Sequence, residues 1–317
     1  MKKYRFQVII FWLIFSFFVT CLYGVFYFAS TGKLGEMPDF RQLENPKTNF
    51  ASEIISSDNK VLGKYYFNDN RTPIDYTELN PQTVEALIAI EDERFYSHPG
   101  IDLKATIRAI VFLNTRGGAS TISQQLARQL FVGVRSRNIF QAIVQKIKEW
   151  VIAVELEKQY TKEEIITMYL NIYDFGYYGD GIKSASNIYF SKEPIELKVE
   201  ESAMLVGMLQ NSSLYDPIKR PEITTKRRNL VFNQMEKNGY ISTKEKDSLK
   251  GLPLELKFNP QSHRRGLATY FRSYLRGFMK KWTDENLKKD GTKYNLYADG
   301  LKIYTTVNAE MQQYAEE

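Results

Sequence analysis

An uncharged, apolar run near the N-terminus constrains this chain more than any other feature. No charged residue occurs from Phe6 to Gly32, and the most apolar stretch, at positions 8–29, is 22 residues long. A helix of that length rises about 33 Å, which is enough to cross a hydrocarbon core of about 30 Å. A cleaved signal peptide is the alternative, but its apolar region typically has only about 7–15 residues. We therefore predict a transmembrane helix over residues 6–29.

The charges on either side of this run predict its orientation. Lys2, Lys3 and Arg5 precede it, whereas Lys33 beyond it is soon followed by acidic residues. Because cytoplasmic flanks carry the excess of Lys and Arg, residues 1–5 are predicted to form a cytoplasmic tail. The chain is then a single-pass protein of the cytoplasmic membrane, with nearly all of its length outside the cytoplasm.

Composition narrows the kind of site and partner. The chain has 317 residues, of which 43% are hydrophobic, so it can bury a substantial core. One cysteine and two histidines exclude a disulfide framework and a cysteine-rich zinc site, and leave little for a histidine metal cage. The net charge of +6 indicates an anionic partner, and the predicted orientation favours a membrane-attached anion over nucleic acid.

The periodicity beyond the apolar run predicts a mainly helical chain. Residues 30–75 have the pattern of a tether and a β-hairpin, and the sequence GLKIYTTV near the end is typical of a strand. Helices are predicted from Pro81 after an Asn80 N-cap, from a Ser120 N-cap to about Phe131, over 139–157, over 161–171 with a Thr161–Glu164 capping box, and over 199–208, 224–238 and 266–282.

Glu91 occupies an unusual position on the first of these helices. Val84, Leu87 and Ile88 form its apolar stripe, and Glu91 is the next residue on that stripe. Partial burial of a carboxyl group is a usual way of tuning a glutamate for general acid–base chemistry. The alternative is a solvated helix end in which Arg94 pairs with Glu91 at i+3.

The distribution of charge adds a second signal. No acidic residue occurs in the 46 positions separating Asp102 from Glu149. Soluble surfaces normally mix the two signs, so this zone predicts a cleft where cations hold an anion and the flanking glutamates do chemistry. Adhesion to anionic lipid is the alternative. The cations of the zone are Lys104, Arg108, Arg116, Arg128, Arg135, Arg137, Lys146 and Lys148.

Inside this zone, spacing brings further polar residues together. Gln124 and Arg128 share a helix face at i and i+4, and Lys146 and Glu149 do so at i and i+3 on a small, polar face that could border a groove. A plain N-cap at Ser120 and a surface Lys–Glu pair are the alternatives. The opposite, packed stripe of the same long helix is predicted to be Phe140, Ile143, Val144, Ile147, Val151 and Val154.

Five ordered motifs carry a resemblance to a known family. They are EDERFYSHPG at 91–100, GGASTISQQ at 117–125, QKIKE at 145–149, YLNIYDFGYYGDGI at 169–182 and ESAMLVGMLQNSSLYDP at 201–217. With these motifs the chain resembles the peptidoglycan glycosyltransferases of family 51, and specifically the class A penicillin-binding proteins. The segment from about His263 onward looks like the linker that leads into their transpeptidase domain, so we expect the chain to stop before that domain.

The resemblance implies a lysozyme-like glycosyltransferase domain at 76–245, followed by a linker at 246–317, with small β elements in the flanking linker regions. Its implied activity is the polymerisation of lipid II outside the cytoplasm, by inverting transfer that releases undecaprenyl pyrophosphate. The implied partners are lipid II, the growing lipid-linked glycan strand, the membrane and other cell-wall synthesis proteins, and not nucleic acid. No cofactor is required, although a divalent cation, magnesium or manganese, is an option through the substrate diphosphate.

The resemblance also implies roles for individual residues. Glu91 would be the general base for the acceptor hydroxyl, and Glu149 would orient or stabilise the reacting centre. Lys146 and Arg128 would neutralise the pyrophosphate. The substrate would be contacted in the groove by Ser120, Gln124 and Gln125.

Two positions depart from the family pattern, and two other functions stay open. Gln145 stands where the family usually has Arg, and Asp174 stands where bifunctional members more often have Tyr. Arg135, Arg137 or Lys148 would then have to supply the missing cation. The other functions are a lysozyme-like lytic hydrolase, which needs no basic cleft, and a non-catalytic membrane scaffold that binds cell-wall precursor.

Overall fold

The structure is a computed structural model that describes residues 2–30, 50–66, 72–111, 118–133, 135–177, 179–259, 267–289 and 291–317. The described chain is mainly helical, as predicted. In chain order the helices are α1 (Lys2–Ser30), α2 (Pro81–Glu91), α3 (Leu103–Val111), α4 (Ile122–Ala127), α5 (Ile139–Gln159), α6 (Lys162–Ile172), α7 (Ile182–Phe190), α8 (Val199–Met208), α9 (Pro221–Lys237), α10 (Thr243–Lys250), α11 (Thr269–Glu285) and α12 (Ala309–Glu316).

A small three-stranded sheet joins a hairpin within residues 52–65 to a strand near the end of the sequence. Its strands are β1 (Ser52–Ile55), β2 (Val61–Tyr65) and β3 (Lys302–Tyr304), in the order β2-β1-β3. β1 and β2 form the predicted antiparallel hairpin. β3, the strand predicted in GLKIYTTV, pairs in parallel with β1, opposing Ile303 to Ile54. The sheet therefore pairs residues that lie far apart in the sequence, such as Glu53 and Lys302.

Local capping signals explain the helices that the sequence predicts correctly. The Asn80 side chain accepts a hydrogen bond from the Gln82 N–H, and Pro81 occupies the first turn of α2. The Glu164 carboxylate accepts from the Thr161 N–H at 2.7 Å, ahead of α6. Helix α9 begins at Pro221 rather than at 224 for the same reason, since proline is well placed in a first turn.

The predicted Ser120 cap is wrong by one residue. Thr121 caps α4 by accepting from the Gln124 N–H, and the α-helix ends at Ala127. The chain then continues as a π-helical turn, Arg128–Val132, so the predicted helix to about Phe131 is two elements. The hydroxyl of Ser120 is thereby left for a different contact.

The chain divides into two compact units, and each is described by itself. The first unit comprises residues 1–46 and 95–165, and the second comprises residues 47–94 and 166–317. Glu149 belongs to the first unit and Glu91 to the second.

The second unit has two apolar clusters. In one of them, α2, α8 and α9 pack together around the wholly buried Leu87, Leu205 and Phe232. The other lies against the sheet, where Ile54 and Ile303 pack with Met279 of α11. Each fully buried side chain of this kind stabilises the fold by about 1.5–3 kcal/mol.

The first unit packs α4 on α5, and here a predicted stripe is wrong. Phe140 and Ile143 were predicted to be packed but are 77% and 53% exposed. The buried residues of α5 are Glu149, Ile152, Ala153 and Leu156, which include Glu149 of the small, polar face. One reason is the close approach of Gly100, whose φ is +88° and where a Cβ atom would lie 2.7 Å from the Ala153 carbonyl oxygen.

The predicted membrane segment coincides with α1, whose described aromatic side chains, Trp12 and Phe17 among them, are largely exposed. Among the helices in the described ranges, none is sufficiently long and apolar to pass through a membrane. The structure therefore does not show the transmembrane helix predicted over residues 6–29. Of the predicted tether, residues 31–49 lie outside the described residues.

Candidate functional site

In the first unit, four predicted site residues converge on one ammonium group. The Nζ of Lys146 donates to the Ser120 hydroxyl at 3.0 Å, the Gln124 Oε1 at 2.9 Å and the Glu149 Oε2 at 2.9 Å. We call Ser120, Gln124, Lys146 and Glu149 the Lys146 group. Two of its members come from the α4 region and two from α5, which the packing of these helices brings together.

The start of α4 is fixed so that Gln124 faces Lys146. Thr121 caps the helix and also donates its hydroxyl hydrogen to the Gly100 carbonyl at 2.7 Å. The Gln124 side chain is wholly buried, and its Nε2 donates to the same carbonyl at 3.3 Å. Because the amide nitrogen is used there, the amide oxygen is the atom that points to Lys146.

The surroundings of Lys146 have opposing effects on its pKa. Burial lowers the pKa of Lys146, the ion pair and hydrogen bond with Glu149 raise it, and the positive charges of Arg128 and Arg135 lower it further. The Glu149 side chain is only 7% exposed. The buried ion pair thus lies under the influence of two further cations, an arrangement suited to holding a ligand with more than one negative charge.

The remaining predicted contacts of this unit lie on the same elements. Gln125 is buried in α4 beside Gln124. Arg128 is partly exposed at the start of the π-helical turn. Arg135 and Arg137 are exposed on the segment that precedes α5.

The two departures from the family pattern both have local structural partners. The Oε1 of Gln145 accepts from the Ser136 N–H at 2.8 Å and so fixes the segment that carries Arg135. The Oδ1 of Asp174 accepts from the Gly176 N–H at 2.7 Å, where Gly176 has a φ of +80°. Each side chain therefore holds the backbone of a neighbouring segment.

In the second unit, Glu91 ends α2 with its side chain 15% exposed. Arg227 of α9 lies close to it, with 3.7 Å from its Nη2 to the Glu91 Oε1. The charge of Glu91 also acts on Tyr173. Burial raises the pKa of Tyr173 to about 12; hydrogen bonding to Ser212 lowers this pKa, and the charge of Glu91 raises it. We call these three residues the Glu91 group.

The sequence reasoning missed two members of the Glu91 group. Tyr173 lies inside the fourth motif, so the motif itself was a signal for it. Arg227 lies in the run Lys226–Arg227–Arg228 on α9, which the five motifs do not include. A pair of arginines on a packed helix was the available signal. The partner of Glu91 predicted in the alternative, Arg94, pairs with Glu93 at 3.3 Å.

The described residues offer no group of three or more His, Cys, Asp or Glu side chains able to hold a metal ion.

Comparison with known proteins agrees with the family resemblance that the five motifs carry. Residues 58–236, more than half of the chain, match the family described as Transglycosylase. Penicillin-binding protein 1F of Bacillus subtilis is 34% identical over 269 residues, which cover 84% of this chain and 36% of that protein. Penicillin-binding protein 1A of Escherichia coli is 30% identical over 300 residues, covering 93% and 33% respectively.

The chain spans about a third of the length of these curated relatives. A solved structure of penicillin-binding protein 1A from Haemophilus influenzae is 22% identical and has a TM-score of 0.42, covering 85% of this chain and 28% of that one.

Proposed function

Because the chain belongs to the transglycosylase family, as its five motifs predict, we propose that it is a peptidoglycan glycosyltransferase that polymerises lipid II. The observation that carries the proposal is the Lys146 group: a largely buried Lys–Glu pair, with two arginines acting on it, inside the stretch that matches the family. Such a site holds a diphosphate while a neighbouring carboxylate takes part in chemistry.

In the proposed reaction, the 4-hydroxyl oxygen of the acceptor sugar attacks the anomeric carbon of the donor. Glu91 takes the hydroxyl proton as the new glycosidic bond forms. The bond from the anomeric carbon to the pyrophosphate oxygen breaks in the same displacement, which inverts the configuration. The electron pair leaves with undecaprenyl pyrophosphate, so no second proton donor is needed.

The other predicted residues serve the leaving group and the sugar. Lys146 and Arg128 neutralise the pyrophosphate, and they bind it more tightly as negative charge develops on it. Glu149 orients Lys146 and stabilises the reacting centre. Contacts to substrate are made by Ser120, Gln124 and Gln125. A divalent cation, if it takes part, is carried by the diphosphate rather than by a protein cage.

The setting of the reaction follows from the predicted topology. We place a membrane anchor at residues 6–29, supported by the uncharged run and by exposed aromatic side chains such as Trp12 along α1. The N-terminus is then cytoplasmic, and the catalytic part, with a lysozyme-like fold over residues 76–245, lies outside the cytoplasm. The partners are lipid II, the lipid-linked glycan strand and other proteins of cell-wall synthesis.

The test is direct: detergent-solubilised protein is incubated with lipid II, and the products are separated by length. Growth of glycan chains with release of undecaprenyl pyrophosphate is the expected result. Cleavage of preformed glycan without growth would instead identify a lytic hydrolase. Binding of lipid II with no product of either kind would identify a scaffold and overturn the proposal.

A further inference from the structure

Arg227 is held by three neighbours in the second unit. Its Nε donates to the Gly207 carbonyl oxygen at 3.2 Å, and its Nη2 lies 3.7 Å from the Glu91 Oε1. Its guanidinium carbon lies 5.3 Å from the centre of the Tyr215 ring. The Arg227 side chain is only 10% exposed, so its charge acts at short range with little solvent screening.

The helix that Arg227 crosses is shaped to admit its stem. A Cβ atom added at Gly207, in α8, would lie 3.2 Å from the Arg227 Cγ. This distance is tighter than an ordinary van der Waals contact, so a larger residue at 207 would push the arginine stem. The close approach of α8 and α9 therefore directs the guanidinium toward the end of α2.

The adjacent arginine has a different task. Arg228 is wholly buried and donates to the carbonyl oxygens of Leu252 at 2.7 Å and Pro253 at 3.2 Å. It fixes the segment that follows α10. Of the two neighbouring arginines, Arg228 thus fixes a backbone segment, whereas Arg227 pairs with the Glu91 carboxylate.

Other groups near Glu91 do not take the place of Arg227. Tyr173, on the segment after α6, donates its hydroxyl hydrogen to the Met208 carbonyl oxygen at 3.0 Å, and burial raises its pKa to about 12, with a lesser contribution from the charge of Glu91. On the segment following Glu91, Glu93 is engaged by Arg94 at 3.3 Å and by Lys237 of α9 at 3.2 Å. The adjacent Asp92 carries the same sign as Glu91.

We propose that Arg227 is a positioning residue for Glu91: it fixes the orientation of the carboxylate that accepts the proton of the acceptor hydroxyl. This inference rests on the proposed function of Glu91 as the base. The ion pair, at 3.7 Å between largely buried side chains, holds the carboxylate, while the Gly207 carbonyl oxygen holds the arginine.

The inference predicts a loss of turnover without a loss of substrate binding. When Arg227 is replaced by Gln, the Glu91 carboxylate is no longer held toward the acceptor hydroxyl, and a small misplacement of a catalytic group can lower the rate by about 10²-fold. We therefore expect kcat to fall more than tenfold, while KM for lipid II changes little.

The experiment compares Arg227→Gln, Arg227→Lys and Lys226→Gln in the full chain, with kcat and KM measured from lipid II polymerisation. Lys226 is an exposed neighbour on α9, and its variant should match the parent. Arg227→Lys keeps the charge but not the forked contact, so it should recover only part of the kcat that Arg227→Gln loses, with KM near that of the parent.

The outcomes separate the two proposals. A parent protein that makes no polymer overturns the proposed function itself. An active parent whose Arg227→Gln variant keeps its kcat overturns the inference. A loss of kcat only in proportion to a loss of folded protein also overturns it, because a merely structural role predicts that result. If Arg227→Gln does not fold, as judged by thermal melting, Arg227→Lys decides: a folded Arg227→Lys variant with the kcat of the parent would contradict the positioning role of the forked side chain.

Discussion

The Lys146 group and the Glu91 group are held in different ways. Lys146 makes three hydrogen bonds of 3.0 Å or less in the first unit, to Glu149 on its own helix, to Gln124 on α4 and to Ser120 just before α4. Glu91, in the second unit, lies 3.7 Å from the arginine that faces it. A rigid, preformed arrangement suits a group that binds a charged ligand. Under the proposed function, the Lys146 group therefore binds the pyrophosphate, while Glu91 accepts the proton of the acceptor hydroxyl.

The sharpest way to break this contrast is Glu91→Gln. Glutamine keeps the shape of the side chain but cannot accept the proton, so turnover of lipid II should fall by roughly 10²–10⁴-fold. The melting temperature should change little, because the partly exposed helix end keeps its packing. Polymerisation kinetics and thermal melting measure the two effects.

Glu93→Gln is the matched control, since Glu93 is an acidic neighbour engaged in surface pairs with Arg94 and Lys237. It should leave turnover within about twofold of the parent, as surface ion pairs are weak. Equal activity of Glu91→Gln and the parent would remove Glu91 as the base.

Lys146→Ala comes next in expected size. It removes the cation on which the binding group converges and leaves the Glu149 carboxylate buried without it, so turnover should fall by roughly 10²–10³-fold. Lys104, exposed on α3 in the same acid-free zone, provides the control variant Lys104→Ala. A loss for Lys146→Ala no larger than for Lys104→Ala, in the same lipid II assay, would count against the pyrophosphate role.

The same contrast shows how far the sequence reaches. Lys146 and Glu149 were paired from their i, i+3 spacing, and that prediction is confirmed by the 2.9 Å salt bridge. Glu91 and Arg227 lie on helices α2 and α9, so no local periodicity relates them. Contacts within one helix follow from the sequence, whereas contacts that depend on packing follow from the tertiary structure.

The fold repeats this lesson. Asn80, Pro81 and the Thr161–Glu164 box placed the starts of α2 and α6 correctly, because a cap is made within a few residues. The parallel pairing of β1 with β3 joins residues 249 positions apart, such as Leu301 and Ser52. Local capping signals could not predict this pairing. On α5, periodicity identified two faces but not which one is covered, so Phe140 was assigned to the wrong side.

Glu149→Gln sharpens the comparison through pH. Burial already lowers the pKa of Lys146, and the ion pair with Glu149 opposes that effect. Without the carboxylate, Lys146 should lose its proton at a lower pH, so the alkaline limb of the pH profile should move downward. Turnover at neutral pH should fall roughly 10–100-fold, the size expected when a charged hydrogen bond is lost.

The control for this variant is Glu155→Gln, on the same helix, where the carboxylate pairs with the exposed Lys158. Its alkaline limb should coincide with that of the parent. An alkaline limb that stays in place in Glu149→Gln would show that the ionisation of Lys146 does not limit the reaction, and would weaken its assignment as the pyrophosphate ligand.

The smallest expected effects are those of Arg135→Gln and Arg137→Gln. Comparing these variants tests which cation serves in place of an arginine at position 145. Lys146 feels the charge of Arg135, and Gln145 fixes the neighbouring Ser136, so Arg135 is the better placed of the two exposed arginines. Arg135→Gln should lower turnover roughly 2–5-fold at low salt, since an exposed charge contributes only about 0.2–1 kcal/mol. Arg137→Gln should have less effect. Because exposed charges are screened, the difference should shrink as salt is raised. Equal losses in the two variants would mean that the binding group draws on the charge of the whole segment and not on one fixed arginine, which would narrow its contrast with the Glu91 group.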